Sequence, residues 1–294
     1  MDNRKRAVAL GLFDGVHLGH RAVINAALDM RKNGLSAVVF TFEPDCVLKK
    51  AGGASGFIYT QAEKEIILRE MMEVDDIVSP PFESLCSLTG EEFAREILCR
   101  RIGAARVCCG NDFRFGKNAA CGAHELTDFG KRFGFEVEVV SPVEYGGSVV
   151  SSSRIRELLL NGDIPSANEL LGFGYFINAE VKDGNRIGRT IDFPTINQQF
   201  GEGQLVPKFG VYSTSTNVGG KVFPSVTNIG VKPTVGGVSA PLAETHIIGF
   251  SGDLYGKKTD VRFKSFIRSE RKFSSLDELK TQISEDIEAS KSVQ

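Results

Sequence analysis

The sequence predicts two domains of different build: a parallel α/β domain over residues 1–171 and a mainly antiparallel β-barrel with a C-terminal helix over residues 172–294. Three observations predict it. The first half alternates short apolar runs with helix-period segments, the rhythm of βαβ units and a parallel sheet. The second half carries short β-branched strands between glycine-rich turns, the pattern of an antiparallel barrel. A length of 294 residues, with 41% hydrophobic and 24% charged, is ample for two cores.

Taken in order, Ala7–Phe13 reads as a buried strand. The basic Arg4-Lys5-Arg6 before it imitates a secretory leader, but Asp14-Gly15 interrupts the apolar run and no small-residue cleavage site follows. His20–Lys32 has helical periodicity stopped by Gly34, and Ser36–Phe42 is β-branched and aromatic, a second strand. Further helices are predicted near Gln61–Met72, Gly90–Arg101 and His124–Phe133, and further strands at Asp76–Val78, Arg106–Cys109 and Glu136–Val140. Two short helices, Arg154–Leu160 and Ile164–Leu171, close this half, and the boundary falls near Gly172.

Beyond it, Tyr175–Val181, Val211–Thr216, Lys221–Asn228, Thr245–Phe250 and Asp260–Phe266 read as strands. Asp183-Gly184-Asn185 and Asn217-Val218-Gly219-Gly220 read as turns between them. Ser274 reads as the N-cap of a final helix over Leu276–Ala289.

Composition excludes some partners. A net charge of -2 offers no electrostatic reason for nucleic acid or an anionic membrane. No stretch approaches the ~18 apolar residues of a membrane span. All six cysteines lie in the first half without paired CxxC spacing, so reduced thiols in a cytoplasmic protein are expected. The oligomeric state is not specified.

The loop after the first strand, Gly11-Leu12-Phe13-Asp14-Gly15-Val16-His17-Leu18-Gly19-His20, carries the first chemistry. Gly11, Gly15 and Gly19 let backbone approach a ligand at the carboxyl end of a parallel strand, with a helix N-terminus behind to favour phosphate. It is neither a Walker A loop nor a GxGxxG fingerprint. His17 and His20 open the helix together, and imidazoles there can donate to phosphate oxygens as charge develops on them. The same spacing also fits one capping and one surface histidine, or a zinc pair lacking its third ligand. Ser151-Ser152-Ser153-Arg154-Ile155-Arg156 opens another helix: hydroxyls, free helix amides and an arginine suit a leaving pyrophosphate, or simply cap the helix.

GLFDGVHLGH followed far downstream by SSSRIR resembles the paired motifs of the nucleotidyltransferase superfamily, whose fold is Rossmann-like. Cys109-Gly110-Asn111-Asp112-Phe113-Arg114-Phe115-Gly116 resembles a segment of the adenylyltransferase module of bacterial bifunctional riboflavin kinase/FAD synthetases. The resemblance implies that FMN attacks the α-phosphorus of ATP and expels pyrophosphate. It implies roles for His17 and His20 at the transferring phosphoryl group, and for Ser152, Ser153 and Arg156 on the ATP phosphates. Gly11, Phe13, Asp14, Gly15 and Gly19 would form the nucleotide loop. Asp112 would lie by nucleotide and flavin, with Phe113 and Phe115 as apolar surface; without the family, both rings are core aromatics.

In the second half, Gly188-Arg189-Thr190-Ile191-Asp192-Phe193-Pro194-Thr195-Ile196-Asn197 is the informative run. A Pro-Thr-x-Asn turn presents a hydroxyl and an amide oxygen on one side of an extended segment, hard ligands suited to Mg²⁺ carrying nucleotide phosphates. Downstream come Ala243-Glu244-Thr245-His246, then Asp253-Leu254-Tyr255-Gly256, then a basic strand ending at Arg268. This order is similar to the riboflavin kinase domain of the same family. The resemblance implies that Thr195 and Asn197 bind Mg²⁺-ATP, with Gly188 and Arg189 at the nucleotide. Glu244 would be the base for riboflavin's 5′-hydroxyl, and Arg268 would touch flavin or hold its loop.

The expected reactions are therefore riboflavin to FMN and FMN to FAD, each with ATP and Mg²⁺. Departures from the family pattern are Asp45-Cys46 in place of His-Pro, Ile196 for alanine, Asp192 for glycine and Asp183 for histidine. A carboxylate at Asp45 leaves open a riboflavin kinase with a weakened adenylyltransferase half. A non-catalytic flavin-binding regulator is the other alternative.

Overall fold

The computed structural model describes residues 5–42, 56–183, 193–233 and 239–291. The chain divides into two compact units, Met1–Ser152 and Ser153–Gln294.

In the first unit, β1 (Arg6–Leu10), β2 (Ser36–Phe40), β3 (Asp76–Val78), β4 (Ala104–Gly110) and β5 (Glu136–Val140) form a parallel sheet in the order β3-β2-β1-β4-β5. Central β1 sets Val8 level with Val38 on one side and Val107 on the other. Ala7, Val8 and Ala9 are fully buried, because a parallel strand inside an α/β sheet has both faces covered. Leu10, Phe40, Phe93, Leu98, Val107 and Leu126 share one core with Val8.

Helices α1 (Leu18–Leu28), α2 (Gln61–Ile66), α3 (Gly90–Glu92) and α4 (Ala123–Phe133) connect the strands. After α2 and α3 the helical path widens into π-type turns over Ile67–Met71 and Phe93–Ile102. Thr60 with Glu63, and Thr89 with Glu92, form the capping boxes that start α2 and α3.

The order of strands decides where a ligand can bind. The chain lays β2 and β3 on one side of β1, then crosses back to place β4 on the other. In open α/β sheets the crevice at the carboxyl ends of the strands beside such a reversal accepts ligands. The loops leaving β1 and β4 flank it.

Some boundaries differ from expectation. The first strand ends at Leu10, and Phe13 takes φ 52, so the last part of the predicted strand is loop. A short hairpin, β6 (Glu144–Tyr145) with β7 (Ser148–Val149), was not predicted. Strands of two residues are too short to show alternation, so only the Gly146-Gly147 pair signalled it.

The second unit begins in α5 (Ser152–Asn161) and continues through α6 (Ile164–Leu171). Its sheet comprises β8 (Phe176–Glu180), β9 (Thr195–Gln199), β10 (Gly210–Val218), β11 (Lys221–Pro233), β12 (Ser239–Ile247) and β13 (Lys258–Arg268). The order is β8-β13-β10-β11-β12-β9, antiparallel throughout. Lys182, just past β8, donates its N–H to the Asn197 carbonyl at 2.8 Å, so the barrel is nearly closed.

Several of its buried polar side chains pair with one another or with backbone carbonyls, as burial demands. The Thr227 hydroxyl lies 2.9 Å from those of both Thr214 and Thr245. The Gln198 amide donates to the Ala179 and Thr259 carbonyls, each at 2.7 Å. The β10–β11 hairpin turns on Gly219-Gly220 at φ 60 and 85, a two-residue turn that needs positive φ at both positions.

Helix α7 (Leu276–Lys291) covers part of the outer face. Its cap is Ser275, whose hydroxyl accepts from the Glu278 N–H at 3.2 Å. Ser274, the expected cap, instead donates its N–H and hydroxyl to the Glu278 carboxylate at 2.9 and 2.8 Å. At the far end, Ser290 donates to the Ser225 carbonyl at 3.1 Å.

Two further readings are corrected. The Pro-Thr-x-Asn segment is the start of β9 and not a turn; Pro194 stands just before the ladder, where a missing N–H breaks no ladder bond. The strand predicted over Thr245–Phe250 runs from Ser239 to Ile247, ahead of a turn with Gly249 at φ 75.

Candidate active sites

The loop after β1 is held from several sides. Gly11 N–H donates to the Phe40 carbonyl at 3.2 Å, and the Thr41 hydroxyl donates to the Leu12 carbonyl at 2.8 Å. An Asp14 carboxylate oxygen accepts from Ile58 N–H at 3.0 Å, and the Ser152 hydroxyl donates to the Asp14 carbonyl at 2.8 Å. A Cβ on Gly11 would meet the Phe13 ring at 2.8 Å, so any larger residue there would have to push that buried ring aside. Val16 is fully buried at φ 43, a conformation a β-branched residue adopts only when its surroundings enforce it.

His17 and His20 are brought together. His17 caps α1: its Nδ1 accepts from His20 N–H at 3.3 Å, which places the proton of a neutral His17 ring on Nε2. The two rings stack with centroids 3.6 Å apart and planes 16° from parallel. Phe13 meets His20 edge-on at 5.4 Å. Burial, then the charge of His17, then that of Lys64 hold the His20 imidazole well below its ordinary pKa. His20 Nδ1 is buried and has no hydrogen-bond partner among the described residues.

Lys64 escaped the sequence reading. It is 3% exposed, and its ammonium donates to the Phe42 carbonyl at 2.9 Å, the Thr41 hydroxyl at 3.2 Å and the Leu12 carbonyl at 3.4 Å. A lysine in α2 offers no sequence signal of burial, since most helical lysines are solvated.

At the end of β4, the Asp112 carboxylate folds over Gly110, where a Cβ would meet its Oδ1 at 2.9 Å. Phe113 is half-buried and stacks on Phe115 with centroids 5.7 Å apart. Phe115 itself belongs to the core: it packs on Phe93 at 5.6 Å and Phe129 at 6.4 Å and is 7% exposed. Its side chain therefore supports Phe113 and offers little surface of its own. Ser152 touches the loop as described; Ser153 and Arg156 lie farther along α5, Ser153 exposed and Arg156 half-buried, both within the second unit.

In the barrel, strand register assembles a row of side chains. Glu244 on β12 stands opposite Asn197 on β9 and opposite Asn228 on β11. Asn228 stands opposite Val211, and Val211 opposite Arg268. Paired residues in antiparallel strands share a face, so five strands contribute to one surface. Thr195, two residues before Asn197, is opposite His246. A cavity of ≈ 320 Å³ over this face is lined by Thr195, Asn228, Glu244, Arg268 and the rings of Phe193 and Phe273.

A second cavity, of ≈ 470 Å³, is lined by Val181, Pro194, Thr195, Thr245, Phe250 and Leu254. Thr195 borders both. The Asp253-Leu254-Tyr255 turn at this second cavity is fixed by Tyr255 N–H donating to Asp253 Oδ1 at 3.0 Å. Both volumes fall in the range of small-molecule sites, ~300–1,000 Å³.

Asn197 is 5% exposed, and its Oδ1 is buried without a hydrogen-bond partner among the described residues. A buried amide oxygen left open in this way is costly unless a ligand meets it. Arg268 forms a two-pronged pair with Asp286 of α7, Nε–Oδ1 2.8 Å and Nη2–Oδ2 2.7 Å, so it clamps the helix beside the cavity it lines. Gly188, Arg189, Asp192, Asp45 and Cys46 lie outside the described residues.

Comparison with known proteins bears on both sites. Residues 1–154 match the FAD synthetase family model and residues 171–294 the riboflavin kinase family model. The bifunctional riboflavin kinase/FMN adenylyltransferase of Escherichia coli (strain K12) is 33% identical over 282 residues, 95% of this chain and 90% of that protein. The protein of the same description from Pseudomonas fluorescens is 34% identical over 301 residues, 99% of this chain and 94% of that protein. A solved structure from Streptococcus pneumoniae, described as a macrolide-efflux protein, aligns with a TM-score of 0.85 at 30% identity, covering 99% of this chain and 95% of that one. Among the described residues here, no helix is long and apolar enough to cross a membrane. With both family models matched in order and identity of a third along nearly its whole length, the chain belongs to the bifunctional riboflavin kinase/FMN adenylyltransferase family.

Proposed function

We propose that this chain phosphorylates riboflavin to FMN on the barrel and adenylylates FMN to FAD at the loop after β1, with ATP as donor in both reactions. The observation that carries the reading is the register of Glu244 between Asn197 and Asn228, with Thr195 bordering both cavities. Adenylyl transfer is assigned to residues 1–171 and the kinase to residues 172–294, a division supported by the family matches.

In the kinase reaction, Glu244 takes the proton of the riboflavin 5′-hydroxyl as that oxygen attacks the γ-phosphorus and ADP departs. Thr195 and Asn197 supply the oxygens that hold Mg²⁺-ATP; the open Asn197 Oδ1 fits a hard cation. Bound with the nucleotide, Mg²⁺ neutralises phosphate charge. Among the described residues no group of three or more His, Cys, Asp or Glu side chains is arranged for a metal, and an ion arriving with nucleotide phosphates needs only one or two protein ligands. Arg268 acts on the flavin side by holding α7 against the cavity.

In adenylyl transfer, an FMN phosphate oxygen attacks the α-phosphorus of ATP and pyrophosphate leaves. His17 and His20 donate N–H to the transferring group, His20 as a neutral ring because its surroundings disfavour charge. Gly11, Phe13, Asp14, Gly15 and Gly19 shape the loop, and Ser152, Ser153 and Arg156 receive the departing phosphates. Asp112 and Phe113 face FMN, with Phe115 as their support. Work in the cytoplasm fits the free thiols at Cys86, Cys99, Cys108, Cys109 and Cys121 among the described residues.

The test is a time course of the pure chain with riboflavin, ATP and Mg²⁺, resolved by chromatography. FMN rising and then converting to FAD is expected. FMN without FAD would remove the adenylyl-transfer assignment, and no flavin phosphorylation would remove the kinase.

A further inference from the structure

We propose that His246 is a positioning residue for phosphoryl transfer, holding the Phe193–Thr195 segment at the register that puts Thr195 and Glu244 on one cavity. This rests on the kinase reading above.

The backbone ladder of β9 leaves a gap before Thr195. β9 begins at Thr195, paired with His246, and the next step outward would need Pro194. Proline has no N–H, so the backbone ladder stops one residue short of where the phosphate-binding segment enters. The His246 side chain takes over: its Nδ1 lies 2.9 Å from the Pro194 carbonyl. A carbonyl oxygen only accepts, so Nδ1 carries the proton, and the bond persists whether the ring is neutral or charged.

The same ring meets Phe193 edge-on, centroids 5.5 Å apart and planes 81° inclined. One imidazole thus fixes both residues preceding Thr195, from a position two residues beyond Glu244 on the same face of β12. Phe193, Thr195, Glu244 and His246 all line the ≈ 320 Å³ cavity. Without the ring, Thr195 sits at the last pair of a ladder, and ladder ends fray.

The experiment compares His246→Ala, His246→Phe and His246→Asn in the full chain. An asparagine amide N–H can take the place of Nδ1, whereas phenylalanine keeps the ring against Phe193 and loses the donor. Steady-state FMN formation and calorimetric titration with Mg-ADP are read side by side. His246→Ala and His246→Phe should raise KM for ATP and weaken Mg-ADP binding about tenfold, with a smaller fall in kcat. His246→Asn should recover most of both.

Unchanged KM and Mg-ADP affinity in His246→Ala would overturn the proposal. So would recovery by His246→Phe and not by His246→Asn, which would assign the ring to packing alone. Absence of FMN formation by the unsubstituted chain would sink the kinase reading instead. The Mg-ADP titration would still decide the role of His246.

Discussion

His17 and His20 lie ring on ring, centroids 3.6 Å apart. Two imidazolium ions at that separation would repel strongly, so the geometry disfavours charge on both rings at once. Burial lowers the His20 pKa most, with His17 and the Lys64 ammonium adding to it. The neutral state that suits a donor to phosphate is therefore built into the position.

The depressed His20 pKa makes stability depend on pH. The folded pKa of His20 lies below its unfolded value of 6.5, so below 6.5 the unfolded chain binds more protons at this residue than the folded one. Its contribution is fully present above 6.5 and is lost as pH falls toward the folded pKa. Urea midpoints of the protein and of His20→Gln should run parallel above that pH and diverge below it, the parent losing more. Parallel curves throughout would contradict a depressed His20 pKa.

Lys64→Met should undo part of that depression. Removing the ammonium takes one positive charge from beside His20 and one donor from the carbonyls of Leu12 and Phe42. NMR titration should show the His20 pKa rising toward 6.5, and FAD formation from FMN should fall about tenfold or more. Kinase activity should be retained. An unmoved His20 titration would mean that burial and His17 set it without Lys64.

The two activities should separate by mutation. Glu244→Gln should lower FMN formation by ~10²–10⁴-fold while FAD formation from supplied FMN stays near normal. His20→Ala should do the reverse, with FAD formation down by ~10²–10³-fold. Equal loss of both activities in either variant would contradict two separate sites.

Arg268→Met should loosen α7. It takes the countercharge from the Asp286 carboxylate, whose side chain is 4% exposed, and leaves it the Gln282 amide at 3.1 Å. The cost should be about 2–3 kcal/mol, less than for a fully buried pair because Arg268 retains 22% exposure. Calorimetric unfolding should show a lower Tm, and KM for riboflavin should rise. Adding Asp286→Leu should recover Tm without recovering KM, since the unpaired charge is gone but the clamp is not rebuilt.

The sequence by itself determined the two-domain plan, because periodicity records burial directly. Ala7–Ala9 is apolar throughout since both sheet faces are covered, and Gly219-Gly220 turns the β10–β11 hairpin since only glycine enters that conformation cheaply. The spacing of His17 and His20 was legible because neighbours in one helical turn need no long-range folding to meet. Tertiary structure alone decided the rest. Strand order placed Asn228 and Asn197 on either side of Glu244, a relation between residues remote in the chain that no local pattern encodes. Core packing drew Phe115 fully inward and left Phe113 half-buried, although both are phenylalanines two positions apart. Lys64 became a buried cation because oxygens of Leu12, Thr41 and Phe42 converged on it, and such convergence exists only once the loops leaving β1 and β2 are side by side.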